Sequence, residues 1–424
     1  MDQHTSVIEQ LAGGSNVFLT GGAGVGKTTA TREIIKHFEE AGKKVAKLAS
    51  TGMAATLIGG QTLHSFLDLG IADSVEDLEQ RGKIEAKKKI KKLIASMDLI
   101  VIDEISMVSA SLMEMIRLRL LQAEFQGVVL AVGDFLQLPP VVKGYGSLQF
   151  AFESQSWQRF SFVTVSLTHN YRTTDEDFIE ILDAVRFARI GDDEHLYLHN
   201  LIKPIGGDLS HYTYLYGKNA SAQQHNQTQL AYIDSEEFAF EAQLVRHEKQ
   251  VTDREIERFM SDARVENILR LKVGAPILFT RNAWNHFNGE RGRIIRIEKQ
   301  IVYIEKADGY VVKLEPAGIS KEKWKEKTVE GKKEMVEVAQ FTLYQYPIAL
   351  AFAITIHKSQ GMSIDDLIIE SDEIFAPSQF YVALSRAVSP HRLILKQPSR
   401  NWKHLAFVHE KAISFVENLG KREV

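Results

Sequence analysis

The residues best suited to chemistry form a glycine-rich turn, Gly21-Gly22-Ala23-Gly24-Val25-Gly26-Lys27-Thr28. An apolar run at 17–20 precedes it and an amphipathic stretch at 29–40 follows, the strand–turn–helix setting that a phosphate-binding loop requires. Gly22, Gly24 and Gly26 let backbone N–H groups turn toward a polyphosphate, and the helix opening near Thr29 adds positive potential. Lys27 then reaches the β- and γ-phosphates, and the Thr28 hydroxyl ligates Mg2+. A second apolar run, 99–102, ends in Asp103-Glu104, at the strand edge where open α/β sheets place their ligands. There Asp103 holds the metal shell and Glu104 polarises the attacking water. A third run, 128–132, leads into Gly133-Asp134-Phe135-Leu136-Gln137-Leu138-Pro139-Pro140. Gln137 is read as a γ-phosphate sensor and the two prolines as a rigid connection to a moving element. The chemistry implied is hydrolysis of ATP with Mg2+.

These residues need a scaffold, and the first part of the chain supplies one in alternating apolar runs (17–20, 45–49, 99–102, 128–132) and amphipathic stretches. That rhythm predicts a doubly wound parallel sheet. A second mixed region starts near Leu167, with a helical pattern at 175–189 and a strand at 212–216, and resumes at 354–370 and 381–395. Between its halves, 269–350 shifts to short β segments at 276–280, 292–297, 301–305, 310–314 and 340–344. This predicts a small β-barrel inserted into the second domain.

With 424 residues, 44% of them hydrophobic and 25% charged, the chain is long enough for two or three globular domains. It has no cysteine, which excludes disulfides, thiolate metal sites and cysteine nucleophiles. No run of about 18 apolar residues spans a bilayer, and residues 1–10 lack the order of a secretory signal, so a cytoplasmic protein is expected. A formal net charge of −4 gives no overall footprint for nucleic acid, so any such site must be a local channel. Two lysine-rich stretches stand out: 83–92, with six lysines on an expected short helix, and 320–338, rich in lysine and glutamate. The first reads either as an exposed helix face or as a duplex-facing element, the second as a solvated hairpin or a DNA contact.

Further motifs follow in order. They are Ser50-Thr51-Gly52-Met53-Ala54-Ala55, Gly60-Gln61-Thr62-Leu63-His64-Ser65-Phe66, Glu104-Ile105-Ser106-Met107-Val108, Asn170-Tyr171-Arg172, Phe287-Asn288-Gly289-Glu290-Arg291-Gly292, Thr355-Ile356-His357-Lys358-Ser359-Gln360-Gly361 and Tyr381-Val382-Ala383-Leu384-Ser385-Arg386. As an ordered, nearly chain-long set they resemble the Pif helicases of superfamily 1B. The short segment between Val108 and Gly127, and Asn-Tyr-Arg-Thr as fourth motif, depart from the eukaryotic pattern and suit a compact bacterial or phage member; they also admit the related RecD-like branch.

The resemblance implies two RecA-like P-loop NTPase domains, 1–166 and 167–267 continued by 351–424, with an SH3-like insertion at 268–350 and a short wedge-like insertion about 67–96. It implies arginine fingers at Arg172 and Arg386 reaching the γ-phosphate from the second domain, an adenine-reading Gln3, and nucleotide contacts from Gln360 and Gly361. Thr51, Thr62, His64, Phe66, Asn288, His357, Lys358 and Ser359 are the implied single-strand contacts, since hydroxyls, amides, basic groups and aromatics hold a strand without reading sequence. Phe66 and Trp284 are candidate base-stacking platforms, with a core position as the competing reading. The implied partners are single-stranded DNA and tailed duplex, opened 5′ to 3′ by a monomer, with G-quadruplex or RNA–DNA hybrid as further substrates. A partner-dependent RecD-like subunit and a non-motor ATP switch are the alternatives; the fourth to sixth motifs speak against the switch.

Overall fold

The structure, a computed structural model, describes residues 3–51, 54–55, 58–141, 147–204, 211–248, 250–263, 265–281, 283–286, 289–329 and 332–420. Asn288 and its neighbour Phe287 lie outside the described residues, as do Gly52, Met53 and the side chain of Gln3. The chain divides into two compact units, one of 1–174 with 186–188 and 407–424, the other of 175–185 with 189–406.

The first unit is built on six parallel strands: β1 (Val17–Gly21), β2 (Val45–Ala49), β3 (Gln61–Thr62), β4 (Leu99–Asp103), β5 (Val128–Val132) and β6 (Val163–Leu167). Their order is β3-β2-β4-β5-β1-β6. β1 and β5 are buried along their whole length, as the near-continuous apolar runs of a sheet covered on both faces require. Val7, Leu11, Ala30, Ile34, Ile35 and Phe38 from the helices Gln3–Ala12 and Lys27–Glu40 pack with these strands in one core. Because all strands are parallel and β4, β5 and β1 are neighbours, the Asp103-Glu104, Gly133-Asp134 and Gly21–Thr28 segments emerge side by side at one edge.

Two boundaries differ from expectation. β6 is the edge strand of the first sheet, paired with β1 from Val17–Val163 to Gly21–Leu167, so the first unit runs on to Thr174. The last helix, Glu410–Gly420, also belongs to the first unit, where it was expected in the second: Phe415 stacks on Phe152 at 4.2 Å and meets Phe135 edge-on at 5.3 Å.

In the second unit, Ala353–Thr355, Thr213–Tyr216, Leu367–Ile369 and Leu393–Leu395 form a parallel sheet in that order. The β-rich part contains an antiparallel sheet of Val311–Leu314, Ile301–Lys306, Arg291–Glu298, Pro276–Phe279 and Ile348–Leu350. Its core comprises Ile277, Phe279, Ile294, Val302, Ile304 and Val312 among others. The lysine- and glutamate-rich stretch lies in an antiparallel pair, Ala317–Val329 with Lys332–Gln345. β structure starts earlier than expected, at Glu237–Glu241, which pairs with Ile268–Lys272. Among the described residues no helix is long and apolar enough to cross a membrane.

Candidate functional site

The phosphate loop leaves β1 and enters the helix Lys27–Glu40 through Gly26, which caps it at φ 85°. Gly24, at φ +84°, lies beneath Asn170: a Cβ there would stand 2.7 Å from Asn170 Oδ1, so only glycine fits. Lys27 Nζ donates to the Gly21 and Gly22 carbonyls, each at 2.7 Å, folding the lysine back over its own loop. Burial of the ammonium pulls its pKa down to about 8, while the negative charges of Asp134 and Glu104 oppose the shift. The Thr28 and Thr29 side chains are exposed at the helix start.

Asp103 closes β4, and its Oδ1 accepts the Glu104 N–H at 2.9 Å. Burial raises the Asp103 pKa, against that hydrogen bond and the charges of Lys27 and Arg32. Glu104 adopts φ 52°, ψ 49°, a left-handed conformation that costs a non-glycine residue about 1 kcal/mol. Such strain at the position read as the water-polarising group matches the tendency of strained backbone to collect at reacting centres.

The adjacent strand end holds a pair that the sequence did not reveal. Asp134, 1% exposed, receives both Nε (3.1 Å) and Nη2 (3.0 Å) of Arg186, a two-point ion pair across 52 positions. Asp134 Oδ1 also accepts the Leu136 N–H at 3.1 Å, and its carbonyl accepts the Gln137 N–H at 2.9 Å, so the turn carrying the buried Gln137 is fixed from its first residue. Nothing in the local spacing marks Arg186; the pairing is tertiary.

Arg172 was expected to approach from the second domain, but it belongs to the first unit. Tyr171 N–H donates to the Gly24 carbonyl at 2.9 Å, and Asn170 Oδ1 accepts the N–H groups of Arg172 (2.9 Å) and Thr173 (3.2 Å). Asn170 thus folds this segment onto the phosphate loop and leaves the Tyr171 ring 69% exposed beside it.

The strand-contact candidates separate by burial. Thr62 Oγ1 caps the short helix Leu63–Phe66 by accepting the Ser65 N–H at 3.3 Å, and Thr51 Oγ1 accepts the Ala54 N–H at 3.2 Å. His64 is half-buried on that helix. Phe66 is 2% exposed and serves the core, so it is no stacking platform, whereas Trp284 is 88% exposed.

In the second unit, Ser359 is fully buried and its hydroxyl donates to the Ile356 carbonyl at 2.8 Å, which leaves it no face for a strand. Burial holds the His357 imidazole below its usual pKa, so the exposed Lys358 is the cation of this segment. Lys358 and Thr355 line a cavity of about 560 Å3 together with Asn219, Gln223 and Gln227. Asn226, which sequence reasoning also missed, bonds both backbone groups of Ala353, Nδ2 to O at 2.7 Å and N to Oδ1 at 2.8 Å, and thereby fixes the strand leading to Thr355. Gln360 keeps a buried Nε2 with no partner among the described residues, a donor available to a ligand, and Gly361 follows at φ +75°.

Arg386, expected as a finger, is 2% exposed within the second unit. Its guanidinium donates to Val382 O (2.9 Å), Ser359 O (3.2 Å), Met362 O (3.4 Å) and Ser385 Oγ (2.8 Å), fastening the His357–Ser359 turn to the helix Gln379–Leu384. To reach a phosphate, the side chain would have to leave these acceptors.

Residues 2–194 match the model of the PIF1-like helicase family. The ATP-dependent DNA helicase Pif1 of Campylobacter jejuni is 38% identical over 405 residues, which cover 91% of this chain and 90% of that protein. The crystal structure of a Bacteroides sp. Pif1 in complex with ADP-AlF4 superposes with a TM-score of 0.83 at 26% identity, covering 100% of this chain and 97% of that one. A Bacteroides Pif1 bound to ssDNA gives a TM-score of 0.67 at 27% identity over the same shares. With a glycine loop, an Asp-Glu pair strained at Glu104 and a buried Gln137 brought to one sheet edge, and with relatives matching nearly end to end, the chain belongs to the PIF1-like helicase family.

Proposed function

We propose that this chain is an ATP-dependent DNA helicase that moves 5′ to 3′ along single-stranded DNA and opens tailed duplex, acting as a monomer in the cytoplasm of a bacterial or phage-infected cell. The observation that supports this best is the edge formed by β4, β5 and β1, which gathers phosphate loop, carboxylate pair and Gln137 on one side of a parallel sheet. We read the two parallel sheets as the cores of RecA-like domains, and the antiparallel sheet of 276–350 as an SH3-like insertion.

One carboxylate and one hydroxyl suit Mg2+, a hard cation that keeps most of its shell as water and substrate phosphate. The desolvated Asp103 carboxyl fits such a cation, whose charge would favour its ionised form. Asp103 and Thr28 would hold the ion, which supplies charge neutralisation at the phosphates. Lys27 exchanges its two loop carbonyls for phosphate oxygens, Glu104 orients and deprotonates the attacking water, and Gln137 senses whether the terminal phosphate is present. Arg172, seated on the loop, supplies positive charge to the transition state; Arg386 does the same only on release from its carbonyls. Gln3 and Gln360 read the base and the nucleotide. Thr51, Thr62, His64, Asn288, His357 and Lys358 follow the strand, the first two chiefly by fixing the turns that present it.

Steady-state ATP turnover measured against increasing single-stranded DNA tests this reading. A stimulation of about tenfold or more is expected of a DNA-coupled motor; turnover indifferent to DNA would overturn it.

A further inference from the structure

Arg119 lies on the helix Ala110–Gln122, outside every motif, yet it is among the most deeply buried large side chains, at 1% exposure. Its guanidinium donates Nε to Leu67 O (3.1 Å), Nη1 to Ile84 O (2.7 Å) and to Gln122 Oε1 (2.9 Å), and Nη2 to Lys83 O (2.6 Å). Gln122 completes the arrangement, with Nε2 donating to Ile84 O at 2.9 Å and Oε1 accepting the Ala86 N–H at 3.0 Å. The carbonyls bound lie at two separated points of one excursion: Leu67, where the chain leaves the helix Leu63–Phe66, and Lys83 and Ile84, where the lysine-rich stretch begins. The rigid, planar fork of arginine suits such convergent carbonyls, which a lysine cannot bridge with fixed geometry.

Beyond the clamp the excursion presents its charge. Lys87 and Lys88 are exposed, and the helix Lys88–Ala95 turns Leu93 and Ile94 inward. On its other side the clamp is continuous with the catalytic strand. Glu104 leads through the turn Ile105–Met107 to Ser109, whose Oγ caps the clamp helix by accepting the Leu112 N–H at 3.1 Å.

We propose that Arg119 and Gln122 are positioning residues that lock the 67–96 insertion to the Asp103-Glu104 segment, and that duplex opening depends on this lock while strand-stimulated ATP hydrolysis does not. The inference rests on the helicase reading above. Removing the guanidinium would take their arginine donor from the Leu67 and Lys83 carbonyls, leave Ile84 O to Gln122 alone, and free the lysine-bearing face to move.

The test compares the full chain with its Arg119→Met, Arg119→Lys and Gln122→Ala variants in three measurements. These are ATP turnover on single-stranded DNA, opening of a 5′-tailed duplex, and the rate of tryptic cleavage after residues 81–92. For Arg119→Met the expectation is turnover within about twofold of the parent, opening slowed about tenfold or more, and faster cleavage, with the milder variants between. Turnover and opening falling together, opening unchanged, or cleavage unchanged would each overturn the proposal. If Arg119→Met does not fold, Gln122→Ala, which keeps the arginine, decides: its opening must slow more than its turnover and its cleavage must quicken, and failure of either overturns the proposal. A parent chain that hydrolyses ATP on DNA but opens no duplex would defeat the helicase reading and the dependence claim, while the cleavage rates still decide whether the lock exists.

Discussion

At the phosphate loop, Lys27 is held by two carbonyls where burial works against its charge and sets its pKa at about 8. A polyphosphate favours the ammonium, so binding takes up a proton when the pH lies above that value. Nucleotide affinity should therefore fall as pH rises through about 8, measured by calorimetry in buffers of differing ionisation enthalpy. The stability of the nucleotide-free chain should gain from this group over the same rise, because the unfolded lysine keeps its proton up to about pH 10.4. Glu104→Gln should bind ATP with near-parent affinity and hydrolyse it about 100-fold or more slowly, since the base is lost while the phosphate cradle remains. Near-parent turnover in that variant would remove Glu104 from the mechanism. The positions of Lys27, Asp103 and Glu104 at the ends of buried strands were legible in the sequence because they follow from local order: strand, turn, helix. The burial of Phe66, Ser359 and Arg386 was not, because it is decided by what packs over them.

Between residues and whole, the turn after β5 is fastened twice. The Arg186–Asp134 pair fixes its start, and Phe135 is enclosed by Phe150, Phe152, Trp157 and Phe415. Arg186→Ala leaves the fully buried Asp134 carboxylate without its partner, and should cost about 3 kcal/mol in denaturant unfolding. Adding Asp134→Asn to Arg186→Ala should return part of that loss by removing the stranded charge. Phe415→Ala, which empties a half-buried stack, should cost about 2 kcal/mol and lower ATP turnover through Phe135, although it lies 280 residues from that position. The apolar runs at 17–20, 99–102 and 128–132 made β1, β4 and β5 readable. Glu237–Glu241 carries the period-two signal of a strand, its residues alternating exposed and half-buried, but five residues are too short a run to stand out without the partner Ile268–Lys272. The C-terminal helix was assigned by its place in the chain; the stacking of Phe415 is a long-range fact that no local pattern carries.

For the whole molecule, an overall charge of −4 obliges nucleic acid to meet local features, and Lys358 with the polar lining around it is the one proposed above in the second unit. The parallel sheets followed from apolar periodicity, whereas polarity of movement follows from resemblance alone. The central claim is that hydrolysis at Glu104 drives strand separation. It is tested most directly by following 5′-tailed and 3′-tailed duplexes, matched in length, under ATP with the parent chain and with Glu104→Gln. The account predicts that the parent opens the 5′-tailed duplex alone and that Glu104→Gln binds both duplexes and opens neither. Duplex opening by Glu104→Gln at the parent rate would contradict it.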